Sequence, residues 1–435
     1  MQSDPADQAS KTGYSRLWVA GLVLCVLAGI VFLALRDTGT EITPPGNNRP
    51  PTSNGVTTRE DLAGELLNRL AADLADGTRR EVVRLAAPGN RDAARSVGAI
   101  LDNVRALGIK NLSFRYVDED GGRLSTAENQ ALGGKAWVAD VQVGWRISEF
   151  EKASSQMEVS FTFVQTPEGV AFVSAGDQSA GDEGDAAPLW LLTKLAVEES
   201  RRALVMTADA AQLEQFAGLA DRAVADVKQV LPDWRGRLVV EVPGSQDQLN
   251  HLLGTKPDTY DAIAAVTSTA DGSLSPSSPA HIFVNPNVFN GLGQTGSQIV
   301  ISHEATHVAT DAATSSMDMW LLEGFADYVA LAHVNLPVSV TASQILGQVR
   351  RDGPPSHLPS GREFDPSNKA LGASYESAWL ACRFIAERYG ERQLIALYNQ
   401  VDTGQPIEQA LKQVLDTNQK MLTGDWQNYL RQLAS

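Results

Sequence analysis

The stretch His303-Glu304-Ala305-Thr306-His307 constrains the fold of this chain more than any other part of it. Successive residues of an α-helix are turned by about 100°, so histidines four residues apart lie on one face, about 6 Å apart along the axis. Two imidazole nitrogens on one face can converge on a single metal ion, and the glutamate beside the first histidine can act on a metal-bound water. The pattern predicts a helix that carries a zinc (Zn²⁺) site, with His303 and His307 as ligands and Glu304 as general base.

A pair of carboxylates follows this motif at a spacing that also fits one helical face. Glu323 lies 16 residues after His307, and Asp327 lies four residues after Glu323. One carboxylate can therefore reach the metal while the other reaches a ligand histidine, which usually donates its remaining N–H to such a group. We predict Glu323 as the third ligand and Asp327 as the partner of a ligand histidine. Gly324 is expected to allow a close approach between this helix and the helix that carries the histidines.

Segment 299–330 resembles the gluzincin zinc metallopeptidases, the clan of thermolysin and the aminopeptidase-N-type enzymes. The resemblance is greatest to the short bacterial peptidase-MA-like domains. Besides the histidine motif, the matching positions are Trp320, Glu323, Gly324, Ala326, Asp327 and Tyr328. The resemblance implies His303, His307 and Glu323 as zinc ligands, Glu304 as general base, and a peptide or protein as substrate. The 15 residues between His307 and Glu323 are fewer than in the best-known members, which indicates a tight connection between the two helices.

The same resemblance suggests residues that act on the substrate. Aminopeptidase-N-like members place a tyrosine at the start of a later helix, where its hydroxyl stabilises the oxyanion of the tetrahedral intermediate. Tyr375, in the segment 372–378, is the candidate for this role, and His357 in the preceding loop is its rival. The family binds substrate along an exposed sheet edge, for which 281–285 is the expected strand. No Gly-x-Met-Glu-Asn segment is present, which slightly favours an endopeptidase.

Other function classes remain open to different degrees. The net charge of −16 argues against nucleic-acid binding, which needs a basic surface. A zinc-binding but non-hydrolytic module that senses or holds an extracellular ligand is the main alternative, although a purely structural site would not need Glu304. A third possibility is an interaction protein that acts through its N-terminal half. Other protein partners are not predicted.

The N-terminal residues predict a membrane anchor. Positions 17–35 form an uninterrupted apolar or small run, long enough as a helix to cross a hydrocarbon core. A cleaved signal peptide is the alternative, but the run is long and no clear cleavage site follows it. Lys11 and Arg16 precede the run, which favours a cytoplasmic tail over 1–16 and an extracytoplasmic body. We therefore expect a single-pass protein of a bacterial cell membrane, with a Pro/Gly/Thr linker over 36–58.

The rest of the chain is predicted to be α+β, in two units. Residues 59–176 show helical periodicity followed by strand-like segments, an element order that resembles the cystatin-like or nuclear-transport-factor-like fold. A Gly/Asp-rich linker over 177–187 separates this unit from residues 188–435. That second unit is expected to be a zincin-like, gluzincin-type domain with a small sheet and a mostly helical half. Its motif helix is expected to have Ser297 as N-cap.

Overall fold

The computed structural model describes most of the chain beyond the N-terminal region. The described residues are 58–120, 124–176, 186–257, 259–365 and 368–435. The predicted tail 1–16, the predicted span 17–35 and the linker 36–58 apart from Thr58 lie outside these residues, as does most of 177–187. Among the described residues, no helix has the length and apolar character needed to cross a bilayer.

The described residues form a mixed α and β structure, as predicted. The α-helices are α1 (Arg59–Asp76), α2 (Arg79–Val83), α3 (Arg91–Ala106), α4 (Thr126–Ala131), α5 (Leu189–Leu192), α6 (Leu213–Val230), α7 (Gln246–Leu252), α8 (Pro286–Phe289), α9 (Gln294–Ala309), α10 (Met319–Leu331), α11 (Val338–Thr341), α12 (Ser343–Asp352), α13 (Leu371–Tyr389), α14 (Glu391–Asp402), α15 (Ile407–Leu415) and α16 (Gln419–Ala434). The strands are β1 (Ile109–Asp120), β2 (Ala136–Ile147), β3 (Ser155–Thr166), β4 (Gly169–Ala175), β5 (Ala196–Glu199), β6 (Ala203–Thr207), β7 (Leu238–Val242), β8 (Ala265–Thr269) and β9 (Ala280–Val284). Short 3₁₀ turns occur at Ala210–Gln212, Ala312–Thr314 and Gly361–Phe364.

The first sheet is an antiparallel meander of β1, β2, β3 and β4 in that order. Helix α1 begins with a capping box, in which Thr58 accepts from the N–H of Asp61 and Asp61 accepts from the N–H of Thr58. Its leucines at helical spacing, such as Leu66 and Leu70, are buried in the core shared with the meander. The predicted strands are all present, and the helices precede them as expected.

The second sheet is mixed, with the order β5-β6-β7-β9-β8. Strands β6, β7 and β9 run parallel, while β5 and β8 pair antiparallel at the two edges. The inner strands are buried along their whole length, which fits their nearly continuous apolar sequences. The helical half, from α9 onward, follows this sheet.

The two faces of the second sheet belong to different cores. Val240 and Ile282 pack with the helices of the C-terminal half. Their neighbours in the same strands, Val239 and Phe283, pack with the core of the first unit. Since successive side chains of a strand point to opposite faces, the sheet lies between the helices and the first unit. The two units therefore share a core across this face.

Two expectations about local structure were wrong, and one strand was not predicted. Helix α9 begins at Gln294 with Gly293 as N-cap, so Ser297 lies inside the helix, where it is buried. The segment expected as a sheet edge contains β9, which lies between β7 and β8. The edge strand next to it is β8, which was not predicted. Its sequence is short and rich in Thr and Ser, so it has no clear apolar alternation.

Candidate metal centre

Two helices that pack against each other bring the predicted residues together. Helix α9 carries His303, Glu304 and His307, and α10 carries Glu323 and Asp327. Both helices are buried on nearly every face around these positions, so their polar side chains are held away from solvent. The side chains of the histidine motif and Glu323 are only 1–2% exposed.

Gly324 does allow a close helix approach, but its neighbour is α13. A Cβ at this position would lie 2.3 Å from the main-chain oxygen of Ala378 and 3.0 Å from Sγ of Cys382. No real Cβ contact is as short as the first of these, so α10 and α13 can pack at this distance only because residue 324 lacks a side chain. This contact fixes the helix that carries Glu323.

Three donor atoms converge at the centre of the cluster. Nε2 of His303 lies 3.0 Å from Nε2 of His307 and 3.2 Å from Oε2 of Glu323. Nε2 of His307 lies 3.4 Å from the same Glu323 oxygen. Two ligand atoms at tetrahedral positions, each about 2.0–2.1 Å from zinc, would be about 3.3 Å apart. The buried group His303, His307 and Glu323 can thus hold a metal ion, and its spacing fits zinc.

An unpartnered oxygen at the site also fits a bound cation. Oε1 of Glu323 is buried and has no hydrogen-bond partner among the described residues, whereas Nδ1 of His307, also unpartnered, is not the ring nitrogen that belongs to the donor triangle. Leaving such atoms unpaired costs free energy, so a second carboxylate oxygen beside the donor triangle favours a cation as its partner. Unlike Nδ1 of His307, Nδ1 of His303 has a hydrogen-bond partner, since it lies 2.8 Å from Oδ1 of Asp327. This contact orients His303 with Nε2 toward the centre.

The ionisable groups of the cluster strongly shift one another's pKa values. Burial by itself lowers the pKa of His303, but the charge and hydrogen bond of Asp327, with the hydrogen bond of Glu323, raise it well above its usual value. Burial raises the pKa of Glu323, but the charges and hydrogen bonds of the two histidines lower it to about 2. Burial also lowers the pKa of His307. Glu323 is therefore an anion near pH 7, whereas His303 keeps a proton that a binding metal ion would displace.

Glu304 lies beside the donor triangle and has a partner that the sequence did not indicate. Oε2 of Glu304 accepts a hydrogen bond of 2.7 Å from the hydroxyl of Thr267 in β8. Burial raises the pKa of Glu304 to about 7, opposed by the charge of His303 and this hydrogen bond. A carboxyl group with a pKa near neutrality can both take up and release a proton at pH 7. No sequence signal relates Thr267 to Glu304.

Tyr375 lies in the first turns of α13, as predicted, and is fully buried. Its hydroxyl has no hydrogen-bond partner in the described part of the chain. Burial, with the charges of Glu323, Asp327 and Glu304, raises the pKa of Tyr375 well above its usual value, so the group stays a neutral donor. The ring of Phe364 packs edge-on against it, with centroids 4.8 Å apart.

His357, the rival candidate, is exposed in the loop before α13. Its Nδ1 lies 2.9 Å from the main-chain oxygen of Leu358, and its Nε2 lies 3.6 Å from Glu363. These local contacts give it no link to the donor triangle, so Tyr375 is the better-placed donor.

Comparison of this chain with known protein families and with curated proteins found no match. The functional argument therefore depends on the residues of the site.

Proposed function

We propose that this protein is a membrane-anchored zinc-dependent peptidase of the gluzincin type. The observation that carries the proposal is the donor triangle of His303, His307 and Glu323, with donor separations of 3.0–3.4 Å, beside the carboxylate of Glu304. A structural zinc site needs four ligands and no base, whereas this one has three protein donors and an adjacent carboxylate. The proposal assigns 188–435 to a zincin-like domain and 59–176 to a cystatin-like or nuclear-transport-factor-like unit.

The roles of the residues follow from their positions. A bound zinc would supply a Lewis acid and lower the pKa of water in the site. Glu304 accepts a proton from the attacking water and delivers it to the departing amine. Tyr375 donates its unpartnered hydroxyl to the oxyanion that develops on the scissile carbonyl. Asp327 holds His303 in the orientation and tautomer that a ligand requires.

The strand that would receive a peptide is β8, since it is the sheet edge beside the motif helix. All five residues of β8 are buried, so an extended peptide that pairs with its outer edge through main-chain hydrogen bonds must first displace the residues that cover it. The strand contacts α9 through Thr267 and Glu304, so a paired peptide would lie close to the general base. The substrate class is therefore an extended peptide or an unstructured protein segment.

A zinc-binding module without hydrolytic activity is the second candidate, and one observation favours it. The side chains of the site are almost inaccessible, and the Gly361–Phe364 turn packs over Tyr375 through Phe364. Hydrolysis requires that a peptide reach these buried side chains, whereas metal binding alone does not. Cleavage of an unstructured protein by the purified full-length chain separates the two candidates.

The metal assignment is tested by replacing His303 with alanine in the full-length protein. We expect the parent to bind about one zinc per chain and the variant to bind almost none, because two donors cannot hold the ion at a site built for three. Metal analysis of the purified proteins is the measurement. His333→Ala removes an exposed histidine outside the site and serves as the matched control. A full zinc complement in His303→Ala would remove this assignment.

The proposed anchor is the predicted span 17–35, with the tail 1–16 in the cytoplasm and the body outside it. Its apolar length gives a partition free energy too large for alkaline carbonate to overcome. We therefore expect the full-length protein to stay in the membrane pellet after such a wash and to enter detergent. Deletion of 1–35 is the control and should give protein in the wash. Release of the full-length protein would exclude a retained span.

A further inference from the structure

Thr267 occupies the middle of the edge strand β8, on the face that contacts the motif helix. Its neighbour Val266 points into the core of the first unit, so Thr267 must point the other way, toward α9. The side chain of Thr267 is completely buried. Most buried hydroxyl groups have a hydrogen-bond partner, and the partner of this one is Glu304.

The hydroxyl of Thr267 contacts two oxygens of the same residue. It lies 2.7 Å from Oε2 of Glu304 and 3.0 Å from the main-chain oxygen of Glu304. Both contacts together fix where the carboxylate lies relative to its own helix. Threonine is also stiff about χ1 because it is β-branched, so the hydroxyl is itself held in place.

Because of the contact with Thr267, the two oxygens of the Glu304 carboxylate differ in their hydrogen bonding. Oε2 is tied to Thr267, and no other hydrogen bond to this carboxylate occurs among the described residues. Oε1 accepts no hydrogen bond from the described part of the chain, so it is the oxygen that can contact a water molecule. A general base must be within about 3 Å of the proton that it takes, so the orientation of this free oxygen decides whether the base works.

We propose that Thr267 is a positioning residue that holds Glu304 with one oxygen anchored and the other directed to the reacting water. This inference rests on the proposed peptidase function. It adds that the strand expected to pair with substrate is the same strand that sets the general base. Displacement of β8 by a badly fitting peptide would then also displace the catalytic carboxylate.

The test compares Thr267→Val with Thr267→Ser in the full-length protein. Valine has the same shape without the hydroxyl, and serine keeps the hydroxyl. General base catalysis depends on the position of the base, so we expect kcat of the valine variant to fall about 10- to 100-fold, with KM changed less than about two-fold and zinc content unchanged. The serine variant should recover most of the lost kcat.

The orientation of the Glu304 carboxylate can also be measured directly, without an activity assay. In crystal structures of the two variants, we expect the Glu304 carboxylate to turn away from its parental orientation in Thr267→Val and to keep it in Thr267→Ser. Thr162→Val is the matched control, since Thr162 is a buried strand threonine of the first sheet whose hydroxyl has no partner among the described residues. Its kcat should equal that of the parent.

The possible failures are distinguishable. An unchanged carboxylate and an unchanged kcat in Thr267→Val would overturn the positioning role while leaving the peptidase proposal intact. Absence of zinc or of hydrolysis in the parent would overturn the peptidase proposal, and the positioning role with it. A serine variant with a kcat as low as that of the valine variant would also overturn the positioning role, since the hydroxyl would then not restore activity.

Discussion

Replacing Glu304 with glutamine is expected to lower kcat by about 10²- to 10⁴-fold while leaving the zinc content unchanged. Glutamine is nearly isosteric, and its carbonyl oxygen can still accept the hydrogen bond of Thr267. It cannot take up a proton, so the attacking water loses its base while the donor triangle is retained. Metal analysis and the cleavage rate of an unstructured protein substrate, on the same preparation, are the measurements.

The matched control for this variant is Glu376→Gln. Glu376 is also a buried glutamate, with Oε2 accepting a hydrogen bond of 2.7 Å from the N–H of Ile345. Burial raises the pKa of Glu376 to about 8, so the group is largely neutral at pH 7 and glutamine replaces it with little electrostatic change. We expect its kcat to stay near that of the parent. If Glu304→Gln cleaves as fast as this control, the mechanism is wrong.

The part of the site that the sequence predicted is the part that depends on local geometry. His303 and His307 share a helical face because they are four residues apart, and the same holds for Glu323 and Asp327. The structure places these four side chains in contact. Thr267 is 37 residues from Glu304 along the chain, and nothing in the spacing of the two residues indicates that they meet. Contacts of this kind depend on sheet order, which periodicity does not specify.

The wrong edge strand expected for the second sheet likewise reflects a sheet order that sequence periodicity does not specify. Strand β8 is buried on both faces, with Ala265 in one core and Val266 in the other. Its buried faces carry Thr267, Ser268 and Thr269 beside the apolar residues, so its sequence lacks the apolar alternation that predicts strands. Because β8 was missed, the edge was assigned to β9. The shared core between the two units was missed for a related reason, since a linker in the sequence predicts separation only when no apolar faces remain to be covered.

The second large effect concerns a buried charged cluster between the two units. His281 of β9 lies between Glu241 of β7, 2.7 Å from its Nδ1, and Glu151 of the first unit, 2.9 Å from its Nε2. All three side chains are buried. Burial lowers the pKa of His281, but the hydrogen bonds and charges of the two glutamates raise it to about 9. His281 is therefore an imidazolium at neutral pH, held by one carboxylate from each unit.

This raised pKa has a defined consequence for stability. Below pH of about 6.5, His281 is protonated in both the folded and the unfolded chain, so the full stabilisation is present. As the pH rises through about 9, the folded protein loses that proton and the stabilisation disappears. A shift from 6.5 to about 9 corresponds to about 3 kcal/mol. The contribution of the cluster should therefore be lost between pH 6.5 and 9.

Glu151→Gln removes the charge that the first unit supplies, while its amide oxygen can still accept the hydrogen bond from the N–H of Ile147. We expect this variant to be less stable than the parent by at least about 2 kcal/mol at pH 6, since breaking a buried ion pair typically costs about 3–5 kcal/mol. Near pH 10 the difference should be much smaller, because the parent has lost the imidazolium as well. Urea unfolding of both proteins at each pH gives the difference in their free energy of unfolding. Groups that titrate equally in the two proteins do not contribute to this difference.

The control is Glu168→Gln, which neutralises an exposed glutamate of the same unit and should change stability little at either pH. A difference between Glu151→Gln and the parent that is equal at pH 6 and pH 10 would show that His281 is not charged in the folded state. If the prediction holds, separation of the two units leaves a buried charge unpaired. The first unit would then be a fixed part of the body that carries the metal centre, and it could not act as a freely moving module that delivers substrate to the centre.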